Sequence, residues 1–327
     1  MRSRIVLGVL SSLLLSGQAL LAAPASAVTI DWVFVGNPGN APDTPGSNCF
    51  AANCGAVGYS YFIAKVEVTN AQYAELLNAK AAADPLGLYN PNMGSEAQGG
   101  ITRSGTIGSY TYAVKPGFTN KPVNFVSFYD ALRFTNWLNN GQTSGDTEDG
   151  AYTLLGGTAT PSNGSTIRFN RGTIFLPSEN EWYKAAYYDP AAASYFDFPA
   201  GTDTETVCSA PTETANRANC FFAVGGVTDV GAYTGSASPN GTFDQGGNVW
   251  EWNEEIVDPN RGIRGGSWNN DTAGFIASFR LSFDPTFESN NSGFRVASLV
   301  PEPDARLLAA AVLASLAALR NGSARKL

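Results

Sequence analysis

The sequence contains no histidine. That excludes Ser-His-Asp and Cys-His nucleophile systems, histidine general bases and every histidine-ligated metal site. Catalysis, if any, would rest on carboxylates, Tyr, Lys or Cys. Charge is scarce as well. Only 15% of the 327 residues are Asp, Glu, Lys or Arg, so ion pairs can order little of the surface, and Gly, Ser, Thr and Asn fill the loops instead. Positive charge is in deficit. A net charge of -8 lacks the basic footprint that a phosphate backbone requires, so no nucleic-acid partner is expected. There are four cysteines, and their spacing fits no zinc pattern. Long apolar runs occur at the two ends of the chain and not between them.

Residues 1–27 read as a secretory signal. Arg2 and Arg4 give a positive start, Ile5 to Leu15 an apolar run, and Ala25-Ser26-Ala27 a small-residue cleavage site. The mature protein is then expected to begin near Val28 and to be exported. In an exported chain the four cysteines suggest disulfides. Cys49 lies near Cys54 and Cys208 near Cys220, and local pairing is the simplest of three connectivities.

Between the ends there is no clear repeat and no long linker, which suggests one domain over residues 28–299. Val28 to Val35 suits an opening strand and Tyr61 to Val68 a second. Thr69 is placed to cap a helix over Asn70 to Lys80, where Tyr73, Leu76 and Leu77 form an apolar stripe. Ser127 and Asp130 sit at near capping-box spacing before Ala131, Phe134, Trp137 and Leu138, which recur on one helical face. Ser178 and Glu181 form a capping box ahead of Trp182, Ala185 and Ala186. Residues 84–120 and 141–172 are dominated by Gly, Asn, Ser, Thr and Pro. They read as loops that need side-chain hydrogen bonds or ions to hold them.

Three blocks follow in order: Gly247-Asn248-Val249-Trp250-Glu251-Trp252, then Arg264-Gly265-Gly266-Ser267-Trp268, then Ser292-Gly293-Phe294-Arg295. With the strand-to-helix segment ending Glu67-Val68-Thr69-Asn70, they resemble the sulfatase-modifying-factor family, the formylglycine-generating-enzyme-like domains. The resemblance covers nearly all of residues 28–298. It implies an α+β fold, related to C-type lectins, that is rich in loops and poor in regular secondary structure.

The family's oxidase chemistry uses copper(I) held by two cysteines, because soft thiolates suit that ion. The matching positions here are Asn270 and one near Phe275. Neither residue can replace a thiolate, so a copper oxidase of this type is not expected. Another catalytic branch of the superfamily holds iron through histidines, which this chain lacks. The resemblance also implies calcium at Asp244, Gly247, Val249 and Glu251, through side chains at the first and last and carbonyls at the other two. The other reading of the same stretch is a buried Trp-rich turn in which Glu251 pairs with a nearby arginine such as Arg264. A second family calcium site would begin at Asn219, but its following carboxylate has no counterpart here. Arg264, Arg280 and Arg295 read as anion contacts or as forks that satisfy loop carbonyls and carboxylates.

Residues 300–327 resemble the PEP-CTERM sorting signal. Val300-Pro301-Glu302-Pro303 is followed by a charge-free run from Leu307 to Leu319 and by Arg320, Arg325 and Lys326. The resemblance implies a sorting protease of the exosortase type as partner and transient membrane anchoring. The run departs from the pattern in being short, about 20 Å of helix against a hydrocarbon core of roughly 30 Å. The functional expectation is an exported, surface-sorted protein of the cell envelope or matrix, without oxidase activity, that binds envelope polysaccharide or protein or serves structurally. The rival is an enzyme of the family acting on an exported substrate.

Overall fold

One device sets the start of all three long helices. In the computed structural model, which describes residues 27–44, 53–164, 167–168 and 172–300, a hydroxyl accepts from the third backbone N–H of each helix, and that residue's side chain reaches back to the cap. The pairs are Thr69 with Gln72, Ser127 with Asp130 and Ser178 with Glu181. Each pair satisfies two N–H groups that the first turn would otherwise leave open.

In chain order the elements begin with strands β1 (Trp32–Val35) and β2 (Tyr61–Ala64), helices α1 (Asn70–Lys80) and α2 (Asn92–Ser95), and hairpin β3 (Ile101–Ser104) and β4 (Thr111–Val114). Helix α3 (Phe128–Asn139), β5 (Ile174–Phe175) and α4 (Glu179–Tyr187) follow, then the two-residue strands β6 (Tyr188–Asp189), β7 (Ser194–Tyr195), β8 (Val207–Cys208) and β9 (Arg217–Ala218). The last part holds β10 (Trp250–Val257), β11 (Asn260–Arg264), a 3-10 turn at Thr272–Phe275, β12 (Leu281–Phe283), β13 (Ser292–Gly293) and β14 (Ala297–Leu299). Short strands, four helices and long loops make the α+β, loop-rich fold that the sequence suggested.

Two four-stranded sheets carry the structure, in the orders β1-β2-β14-β5 and β12-β11-β10-β13. In the first, β14 lies between β2 and β5, with Ala297 opposite both Ile63 and Phe175, so the two ends of the described chain are joined by one ladder. In the second, β10 pairs antiparallel with β11 and parallel with β13.

Three sequence expectations need correction. The second strand ends at Ala64 and does not run to Val68. Beyond Ala64 the chain leaves the ladder and buries the Glu67 carboxyl, while Val68 N–H donates to the Phe294 carbonyl. The opening strand is confined to Trp32–Val35. Helix α3 is also buried nearly all round, and not along one face. Loop 140–164 wraps its second side. Arg133 donates to Glu148 and to the carbonyls of Thr158 and Ala159, and Asn136 donates to the carbonyls of Thr147 and Tyr152. Polar side chains on the helix thus order the loop that covers them, as a long loop poor in charge requires.

Cys208, at the end of β8, forms a disulfide with Cys220, two residues beyond β9. Cys54 is also disulfide-bonded. Cys49, the leader segment through residue 26 and the tail from residue 301 lie outside the described residues. Among the described residues no helix is long and apolar enough to cross a membrane.

Candidate functional site

The strand β10 and the loop before it bury Gly247, Val249 and Glu251 of the proposed calcium residues and leave Asp244 half-buried. Glu251 is fully buried on β10. Arg295 donates to it twice, from Nε to Oε2 at 2.6 Å and from Nη2 to Oε1 at 2.7 Å, and Trp182 Nε1 donates to Oε2 at 2.7 Å. The partner is therefore Arg295 and not Arg264. The Arg264 guanidinium goes to Glu179, with Nε 2.6 Å from Oε1, and also donates to the carbonyls of Ala277 and Phe279. Arg280 pairs with Glu255 at 3.4 Å. These arginines satisfy carboxylates and loop carbonyls within the fold.

Two further carboxyls face the Arg295–Glu251 pair. Asp244 has a left-handed backbone (φ 61°) and accepts from Gly231 N–H at 2.5 Å. Glu67 accepts from Asn248 Nδ2 at 3.1 Å, and its other oxygen has no ordinary donor. Glu67 and Asp244 are close enough to influence each other's ionisation. Burial pushes Asp244 up to about 6, and it raises Glu67 further with help from the charges of Asp244 and Glu251. Three carboxyls thus surround one guanidinium. In fully ionised form the group carries two negative charges in excess, which protons or a divalent cation would offset.

The donor chemistry suits a hard cation in part. Glu251 Oε1 keeps a lone pair beyond its arginine contact, whereas Oε2 already accepts from both Arg295 and Trp182. Gly247 (φ 95°) brings the backbone close to the Asn219 carbonyl, where an added Cβ would sit 2.4 Å away. Asn219 itself holds the loop through donations to the Gly226 carbonyl and to Asn248 Oδ1. Val249 is fully buried. Among the described residues no three acidic or cysteine side chains converge as a metal cluster, so a cation at this place would lean on backbone carbonyls.

The positions that match the family's copper cysteines hold a different arrangement. Asn270 Oδ1 accepts from the indole of Trp250 at 2.8 Å and from the Ser267 hydroxyl, and the Asn270 carbonyl accepts from Phe221 N–H. Phe275 is fully buried with Phe198, Ala218 and Cys220. Its ring occupies the space over Gly266, where an added Cβ would lie 2.5 Å from it. An amide and a phenyl ring supply no soft donor, so this pair of positions does not fit copper(I). Beside it, Phe198, Glu205, Asp271, Thr272, Ala273 and Ile276 line an open surface groove of about 380 Å³.

Trp250, Trp252 and Trp268 are buried and spend their indole N–H groups on Asn270, the Val126 carbonyl and the Asn290 carbonyl. The chain matches the Sulfatase-modifying factor enzyme 1-like domain over residues 38–300. It belongs to that family. Within it, the chain is similar to hercynine oxygenase of Mycobacterium tuberculosis, with 32% identity over 146 residues, which is 37% of this chain and 32% of that protein. The match therefore spans about a third of the length of that curated relative. The fold resembles a crystal structure of CarF, with a TM-score of 0.55 and 20% identity over 83% of this chain and 99% of that one. Variable protein 1 of Treponema denticola gives 0.52 and 18% over 85% and 98%. At these identities the two structures speak for the formylglycine-generating-enzyme-like fold alone.

Several residues of the site escaped the sequence reading. Glu67 is one: it lies beyond the end of β2, and its burial comes from the path the chain takes there. Asp130 and Glu288 lie far apart in sequence but close in the fold, and burial with the nearby Asp130 charge pushes Glu288 up to about 8. Glu254 is held by Tyr152 and Arg168, and burial raises it to about 7. Phe221 and Phe222 are exposed, and both have left-handed backbones (φ 47° and 57°). Backbone bonds to Asn270 and Trp268 hold them there. Nothing in local composition marks such positions.

Proposed function

We propose that this protein is an exported, surface-sorted member of the family that binds or builds within the cell envelope or matrix and does not oxidise cysteine. One observation carries the reading: the site of the copper thiolates is taken by Asn270, whose amide oxygen is spent on Trp250 and Ser267. The scaffold around it is intact, and the absence of histidine removes the iron-binding alternative. The leader at residues 1–27 and the tail at 300–327 support export, an exosortase-type sorting protease as partner and a passing membrane-anchored stage. Envelope polysaccharide or protein is the ligand class that fits such a location. Calcium at Asp244, Gly247, Val249 and Glu251 would act as a structural ion, neutralising the excess carboxylate charge.

The experiment is to incubate the purified protein with a cysteine-containing sulfatase-type peptide, copper and oxygen, and to assay aldehyde by mass spectrometry. No aldehyde is expected. Its appearance would favour the second reading, an oxidoreductase acting on an exported substrate, to which the likeness to an oxygenase gives some support. A binding screen against envelope glycans and matrix proteins tests the first reading from the other side, and no binding at all would count against it.

A further inference from the structure

The leader reading places the cleaved bond between Ala27 and Val28, and the structure treats the two residues differently. Ala27 is exposed, whereas Val28 is half-buried against the main core. Val28 is also gripped through its backbone. Its N–H donates to Gln142 Oε1 at 2.6 Å, and its carbonyl accepts from Gln142 Nε2 at 2.8 Å. The next carbonyl, of Thr29, accepts from Gln72 Nε2 at 2.9 Å. A side chain distant in sequence thus reads both polar groups of the residue that would become the new terminus.

The segment that presents Gln142 is strained. Gly141, Gln142 and Thr143 have φ values of 77°, 64° and 45° in succession, and the last is β-branched. Such backbones persist only where their surroundings over-determine them. Here Gln142 N–H donates to the Trp137 carbonyl, Trp137 Nε1 donates to the Thr143 carbonyl, and Gly145 N–H donates to the Gln142 carbonyl. The result is a fixed amide aimed at Val28. Beside it lies a groove of about 310 Å³ whose lining includes Ala27, Gln142, Trp137 and the carboxylate-bearing Glu75 of α1. Among the described residues no cation is paired with Glu75.

We infer that Gln142 and Glu75 form a receptor for the α-ammonium of Val28, created when the Ala27–Val28 peptide bond is cleaved. The inference rests on the leader reading for its cut and on the geometry for its site. Water adds across the bond: Ala27 leaves as a carboxylate with the leader, and Val28 takes up protons to become an ammonium. The neutral N–H bond to Gln142 then becomes charge-assisted and stronger, and departure of Ala27 opens the groove toward the Glu75 carboxylate. Capture of a terminal amine by fixed acceptors is a known way to anchor a chain end. Processing thereby fastens the chain just ahead of β1.

Two measurements test this separately. The intact mass of the full-length gene product recovered from an exporting bacterium should correspond to a chain starting at Val28, and another start overturns the processing reading. For the site, the chain freed at Val28 from a fusion is acylated with an amine-directed reagent near neutral pH, and labelling of the terminal peptide is followed by mass spectrometry. The terminal amine should label about tenfold more slowly in the native protein than in Gln142→Ala or Glu75→Gln, the change given by a shift of about one pKa unit. Glu75 lines the groove and is only partly buried, so Glu75→Gln keeps the test valid if Gln142→Ala fails to fold. Equal labelling of native and variant proteins overturns the amine site.

Discussion

Arg295 and Glu251 meet through two parallel N–H···O contacts of 2.6 and 2.7 Å, and both side chains are fully buried. The guanidinium also donates to the carbonyls of Ala64, Lys65 and Phe243, so it links β10 to the end of β2 and to the loop before Asp244. Removing one member leaves a buried charge without its partner, which costs about 3–5 kcal/mol. Arg295→Met should lower unfolding stability in urea by that amount. The double variant Arg295→Met/Glu251→Leu should lose less, because it leaves no orphaned charge.

The Asn270 site makes a second prediction. Asn270→Ala leaves the buried Trp250 indole N–H without an acceptor, at a cost of about 1–3 kcal/mol. Asn270→Cys should behave alike, since a thiol is a weak acceptor. Phe275→Ala opens a cavity in the same place and should cost about 3–5 kcal/mol. Denaturant melts of the three variants check both figures.

Gly266 combines a left-handed backbone (φ 68°) with a ring 2.5 Å from its absent Cβ. Gly266→Ala should therefore destabilise by more than about 1 kcal/mol, beyond what the backbone alone imposes. Adding Phe275→Leu removes the clash but not the strain and should restore part of the loss, as read from thermal midpoints.

Because the chain has no histidine, changes of stability between pH 5 and 8 come from shifted carboxyls and from the terminal amine. Burial raises Asp244 to about 6, Glu254 to about 7 and Glu288 to about 8. A carboxyl whose folded value exceeds its unfolded one binds its proton more tightly in the native state. Its contribution is complete below the ordinary carboxylate range and is lost as pH rises through the folded value. Lys184, lowered to about 8 by burial, acts only above that range, because below pH 8 it is charged in both states. Melting of metal-free protein should therefore occur at a higher temperature at pH 5 than at pH 8. A flat or opposite profile would contradict the raised carboxyls.

Calcium, if it binds at Asp244 and Glu251, must stabilise by mass action, by about 2.7 kcal/mol at a hundredfold excess over its dissociation constant. Chelator should lower the melting midpoint, and the loss should be larger at pH 8, where Asp244 is ionised. An unchanged midpoint, with no metal by elemental analysis, would remove the ion from the account.

Much of the fold could be read in the sequence because its signals are local. The caps at Thr69, Ser127 and Ser178 sit within one turn of the groups they satisfy. The Cys208–Cys220 bond joins near neighbours, as simple proximity suggested. The ion-pair partners were another matter. Arg264 and Arg295 both lie in Gly-rich blocks with similar flanks, and only the placement of α4 beside β10 assigns Glu179 to one and Glu251 to the other. The carboxyl neighbours of Glu67, Asp130 and Glu288 were missed for the same reason. A carboxyl becomes unusual through what is packed around it, and sequence spacing does not record that.

The position of β14 has a mechanical consequence. This strand is the last described element of the fold, and it lies inside its sheet, hydrogen-bonded on both sides to β2 and β5. The first sheet cannot close until nearly the whole chain has been delivered. Once it has closed, a pull on the carboxyl end directed along the strand loads those bonds in shear, all together, and does not peel them one at a time.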